Sequence, residues 1–145
     1  MNRLSFLFPA LVFAWMLTPA NVIAQEIAIH VKALKNTRGH IRLYVFTSEK
    51  SYNASKPHRV FKIKKDNCLG EDFVSKINLK PGVYAIALID DENSNGKLDK
   101  NFMRQPGEGV GFSNFQLKRL RKPVFDDFRV EVDGSQPVAI QVRYL

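Results

Sequence analysis

The run Val83-Tyr84-Ala85-Ile86-Ala87-Leu88-Ile89 decides how the rest of the chain is read. It is apolar at every position and too short for a buried helix, so it suits a central β-strand covered on both faces. Lys80-Pro81-Gly82 directly before it has the chemistry of a tight turn, with proline presetting one torsion and glycine permitting a positive one. Upstream of the turn, residues 71–79 place Phe73, Ile77 and Leu79 on one side, and residues 59–64 form a weaker strand after a polar loop at 48–57.

Further out the pattern holds a period of two. Ile27, Ile29, Val31 and Ala33 alternate with polar or smaller residues, turn chemistry follows at 35–39, and Ile41, Leu43 and Val45 resume the alternation, which reads as a hairpin. Residues 125–132 and 138–145 alternate across Asp133-Gly134-Ser135-Gln136 and read as a final hairpin. The longest helix expected is a short one between Gly111 and Arg119. Seven short strands with turn signals predict an all-β fold, a single antiparallel β-sandwich of immunoglobulin-like or transthyretin-like type.

Residues 1–24 read as a signal peptide. Arg3 gives a positive head, residues 4–17 are uncharged and apolar, and Val22-Ile23-Ala24 offers a small-residue exit before Gln25. That apolar run of about 14 residues falls short of the ~20 needed to span hydrocarbon. The expected product is a protein exported to the periplasm or beyond the cell, not membrane-spanning after cleavage, with residues 25–145 as one domain. Cys68 is the single cysteine, so no internal disulfide can form, and the residue reads as a small apolar side chain.

The 145 residues carry a net charge of +8. The densest cluster, Lys118-Arg119-Leu120-Arg121-Lys122, favours an anionic polymer, a lipid surface or an acidic protein face. Nucleic acid is not an expected partner after export, and no aromatics interleave the cluster to stack bases.

Asp91-Glu92-Asn93-Ser94-Asn95-Gly96-Lys97-Leu98-Asp99 follows the central strand and has the spacing of a calcium loop. Asp91, Asn93, Asn95 and Asp99 stand at relative positions 1, 3, 5 and 9, Gly96 takes the bend at position 6, and Lys97 offers its carbonyl at position 7. The expected cofactor is a structural Ca²⁺. Phe102 occupies the twelfth position where a complete EF-hand has a bidentate glutamate, and Asp90, Glu92, Asp126 and Asp127 are candidates to complete the shell. The alternative is an Asn/Gly-rich turn whose side chains cap backbone amides.

Gly107, Gly109 and Gly111 allow close backbone approach, with Phe112 as a plug beneath the loop; a phosphate-cradling loop would need a strand before and a helix after. The histidines are His30, His40 and His58, and no HExxH or GxSxG motif accompanies them. The expected function is therefore a non-catalytic envelope domain whose residues 91–122 form a binding face. The alternatives are a membrane-surface accessory module using the basic cluster, or a metal-dependent hydrolase built on Asp91, Asp99, Asp126 and Asp127.

The sequence DDENSNGKLDKNF at 90–102, together with GFSN at 111–114 and the flanking Pro81-Gly82-Val83-Tyr84-Ala85 and Pro123-Val124-Phe125-Asp126-Asp127, resembles the bacterial family known as domain of unknown function 2141. Arg104 and Phe128 depart from the small residues more usual there. The resemblance covers roughly residues 26–145 and implies an exported, single-domain β-sandwich with no established activity and no catalytic residues to carry over.

Overall fold

The computed structural model describes residues 23–65, 72–98, 107–118 and 121–144. Its strands are β1 (Gln25–Lys32), β2 (His40–Phe46), β3 (Arg59–Lys64), β4 (Asp72–Leu79), β5 (Gly82–Asp91), β6 (Gly109–Phe112), β7 (Arg129–Val132) and β8 (Val138–Gln141). One five-residue helix, α1 (Glu49–Asn53), and a 3-10 turn at Phe125–Asp127 complete the list of elements. The first sheet runs β4-β1-β8; the second runs β3-β2-β5-β6, with β7 also on β5.

The two sheets face each other across the main core. Ile27, Ile29 and Val31 of β1 meet Ile41, Leu43 and Val45 of β2 and Ile86 and Leu88 of β5, all at most 2 % exposed. Each such side chain contributes about 1.5–3 kcal/mol by leaving water. The alternation in β1, β2 and β4 exists because one face of each strand meets this core. β5 breaks the alternation because its second face is partly covered too, with Ala85 and Asp91 buried on it.

Several pairings differ from those expected. β1 and β2 are not a hairpin: β1 pairs with β4 and β8 in one sheet, while β2 pairs with β3 and β5 in the other. Nor are β7 and β8 a hairpin, since β7 pairs with β5 and β8 lies parallel to β1. Alternation tells which face of a strand is buried but not which strand lies beside it, and Val132 and Val138 both point into the core from opposite sheets. The parallel β1–β8 pair qualifies the expectation of a wholly antiparallel sandwich.

The helix also lies elsewhere. Ser48 and Ser51 form a reciprocal capping box that opens α1 within the segment read as a polar loop, and Tyr52 is its buried anchor. The glycine-rich stretch expected to precede a short helix forms β6 instead. A Cβ added at Gly111 would lie 2.6 Å from Ile140 Cγ2, and one at Gly109 2.6 Å from Val142 Cγ1, so only glycines let β6 approach the C-terminal strand this closely. Bridges Val110↔Arg143 and Ser113↔Ile140 then close this corner of the sandwich.

β6 and β7 share one edge of β5. β7 covers residues 82–85 and β6 covers 87–90, which leaves Ile86 between them. Fully buried Ser113 fills the gap: Ile86 N donates to its Oγ at 3.0 Å, its own N donates to Ile86 O at 2.9 Å, and its hydroxyl donates to Phe128 O at 2.5 Å.

Candidate functional site

The face of the second sheet turned away from the main core carries Tyr44 and Phe46 of β2 and Ala85 and Ala87 of β5, paired as Tyr44↔Ala87 and Phe46↔Ala85. Alanines opposite aromatics leave room above the sheet, and a second apolar cluster occupies part of that room. Phe46, Tyr52, Ala85, Phe125 and Phe128 are buried in it. The rings meet edge-to-face, with centroids 5.2 Å apart for Phe46–Tyr52, 5.1 Å for Tyr52–Phe128 and 5.0 Å for Phe112–Phe128.

Beside this cluster a cavity of about 550 Å³ remains open. Tyr44, Ala87 and Phe112 form its floor, Tyr52 and buried Pro123 one wall, and Gly96-Lys97-Leu98 the opposite side. The Tyr52 hydroxyl donates to Pro123 O at 3.0 Å and so ties α1 to the returning loop. Burial, with a smaller contribution from the charge of Asp127, pushes that phenol up to about 12. Three exposed cations, Lys97, Arg121 and Lys122, also line the cavity, and none has an ion-pair partner among the described residues. Lys122 Nζ lies 4.3 Å above the Tyr52 ring. The arrangement is an apolar trough with positive charge at its mouth.

The loop after β5 builds one side of this trough. Its root is Asp91, whose Oδ2 accepts from Arg42 Nε at 2.6 Å and from Gly96 N at 2.9 Å. Asn93 Oδ1 accepts from Asn95 N at 3.0 Å and Asn95 Oδ1 from Lys97 N at 2.8 Å, so both amide side chains cap the loop's own backbone. Gly96 sits at φ +77°, and a Cβ there would lie 2.8 Å from Arg42 Nη2. Burial alone would raise the Asp91 carboxyl. The Arg42 hydrogen bond, the Gly96 amide, the Arg42 charge and the Asn95 amide together outweigh burial and hold it below the usual carboxylate range.

Of the expected metal ligands, Asp91, Asn93, Asn95 and Lys97 are thus placed, while Asp99 lies outside the described residues, as does Phe102. Asp91 Oδ1 is buried and has no hydrogen-bond partner among the described residues. The candidates to complete the shell are engaged elsewhere. Asp90 points into the main core, 2.5 Å from both Lys65 Nζ and the Tyr144 hydroxyl, and Glu92 pairs with Arg38 at 3.2 Å. Asp126 pairs with Arg129 at 3.4 Å, and Asp127 Oδ2 accepts from Val124 N at 2.9 Å. Among the described residues no three His, Cys, Asp or Glu side chains converge to hold a metal ion.

His40 Nδ1 lies 2.7 Å from Ser94 Oγ, a histidine–serine contact that the sequence does not announce. Among the described residues no carboxylate bonds the other ring nitrogen, so the contact lacks the third member of a hydrolytic triad. Of the basic cluster, Lys118, Arg121 and Lys122 are exposed, and residues 119 and 120 lie outside the described set, as does Cys68. Among the described residues no helix is long and apolar enough to cross a membrane.

Sequence reasoning found the cations and the loop but missed the floor and wall, Tyr44, Phe46, Tyr52 and Ala87. Two signals were present. Tyr44-Val45-Phe46 makes β2 apolar on both faces at its end, and the Ser48/Ser51 pair marks a helix start.

No curated protein and no solved structure matches the chain. The family model for domain of unknown function 2141, described as an uncharacterized protein conserved in bacteria, matches residues 29–141, and the chain belongs to that family.

Proposed function

We propose that this protein is an exported, non-catalytic ligand-binding domain of the bacterial envelope, and that its binding site is the trough between the second sheet and residues 96–98 and 121–123. One observation carries the reading: an open cavity of about 550 Å³, lined by Tyr44, Tyr52, Ala87 and Phe112, on a sheet face that otherwise is packed with aromatic rings. Its size is within the range of roughly 300–1,000 Å³ usual for small-molecule sites, and a few polar groups among apolar walls is the usual composition. Export is supported by the pattern of residues 1–24. Binding of a neutral environment-sensitive fluorophore such as N-phenylnaphthylamine tests the site. Its emission should rise saturably with the native chain, and the rise should fall at least tenfold in Ala87→Trp, whose indole would stand on the floor of the trough. No saturable rise with the native chain removes the reading.

A second reading is favoured by buried Asp91 Oδ1: a Ca²⁺ ion held by the 91–99 loop. Arg42 already neutralises the other oxygen of this carboxylate, so binding should be weak. Calorimetric titration with CaCl₂ is expected to give saturable heat and a raised Tm, both lost in Asp91→Asn. Neither heat nor a Tm shift at millimolar calcium would leave the loop as a self-capped turn.

A further inference from the structure

We propose that the trough takes the anion of a free, single-chain fatty acid, with its hydrocarbon against Tyr44, Ala87 and Phe112 and its carboxylate among Lys97, Arg121 and Lys122. The inference rests on the ligand-binding reading above and names the class of ligand.

Charge complementarity carries it. A purely apolar ligand would gain nothing from cations at the mouth of its site, yet three of the lining residues carry full positive charge, stand exposed, and have no carboxylate partner among the described residues. A guanidinium and two ammonium groups offer the bidentate and point-charge contacts that a carboxylate accepts most strongly. Lys122 is held over the Tyr52 ring, so one of these charges is already placed where apolar wall and mouth meet. The chain's net charge of +8 further favours encounter with anions.

The trough also has room for an acyl chain: its volume of about 550 Å³ is well above the ~30 Å³ that a water molecule, close in size to a methylene, takes in the liquid. Buried Leu117 and Pro123 line the same space and add apolar surface to it.

The experiment compares three probes on the full chain below their critical micelle concentrations: myristate, myristyl alcohol, and vesicles of phosphatidylglycerol. Myristate should bind at least tenfold more tightly than the alcohol, and affinity should rise by roughly two- to fourfold per added methylene from decanoate upward. Arg121→Glu/Lys122→Glu should remove the preference for myristate over the alcohol, while a far-ultraviolet spectrum and Tm like those of the native chain show that the variant is folded. Equal affinity for myristate and alcohol overturns the anion assignment while the trough survives as a ligand site. Fluorophore binding without myristate binding has the same meaning, and failure of every soluble probe removes both readings. Binding to vesicles with none to myristate overturns the proposal in favour of a membrane surface, and undiminished myristate binding in Ala87→Trp overturns the location.

Discussion

Ser113 shows how much one small side chain can decide. Two strands cannot both pair with Ile86, so the seam where β7 ends and β6 begins would strand an amide in the core; the Ser113 hydroxyl accepts from that amide and donates to Phe128 O. Asn114 follows at φ +48°, a left-handed position that asparagine tolerates, and its Oδ1 accepts from Ala139 N at 2.9 Å. Removing the hydroxyl leaves a buried donor and a buried acceptor without partners, which costs about 1–3 kcal/mol each before relaxation. Ser113→Ala is therefore expected to lose about 2–4 kcal/mol in urea unfolding, and Ser113→Val no less because its volume does not restore either bond. A loss below half a kilocalorie would show that the seam is hydrated or otherwise bridged. The arginine–aspartate contact at Asp91 works at the same scale: it links residues 49 positions apart and sets the charge of a side chain with no exposure at all.

At the scale of elements, the strands are the part of the fold most legible in the chain. Alternation located β3 at its observed residues and β4 to within one, because a half-buried strand must repeat every second residue whatever its neighbours are. Pairing was not legible. The connection at 33–39 and the one at 133–137 each cross from sheet to sheet, and the local turn chemistry is the same for a crossing as for a hairpin; Asp133 Oδ1 accepts from Ser135 N at 2.8 Å in either case. β6 and α1 were missed because each is four or five residues long, too short for any period to show, and each depends on a contact distant in sequence: Gly111 against Ile140, Tyr52 against Phe46 and Phe128. The site divides in the same way. The register of the 91–99 loop and its cations could be read locally, whereas the trough arises from Tyr44, Ala87 and Phe112 on three different strands. No window along the sequence contains all three.

The whole molecule is two apolar layers on one sheet, and they are pinned by different charged groups. The main core holds Asp90 between fully buried Lys65 and half-buried Tyr144. The outer layer is pinned at its edge by Asp91 and Arg42, which fix the loop that walls the trough. The Asp91 carboxyl titrates below its ordinary value of 3.8 in the folded protein, so its stabilising contribution is complete above about pH 4–5 and is lost as pH falls through the lowered value. Fluorophore binding in the trough is expected to fall as pH drops below 3.8 and the loop that walls it loses its charged anchor. Arg42→Leu leaves burial opposed only by the Gly96 and Asn95 amides, so the Asp91 carboxyl should titrate higher than in the native chain. At pH 7 this variant should be about 2–3 kcal/mol less stable than the native chain, a figure reduced from that of a fully buried pair because Arg42 keeps 18 % of its side chain exposed. As pH falls through the lowered value and the native carboxylate is protonated, the difference should shrink toward zero. Chemical unfolding of both proteins across this range, with the fluorophore as a second readout, measures it. A difference that stays constant with pH would mean that Arg42 supports the loop through packing of its stem and not through the carboxylate.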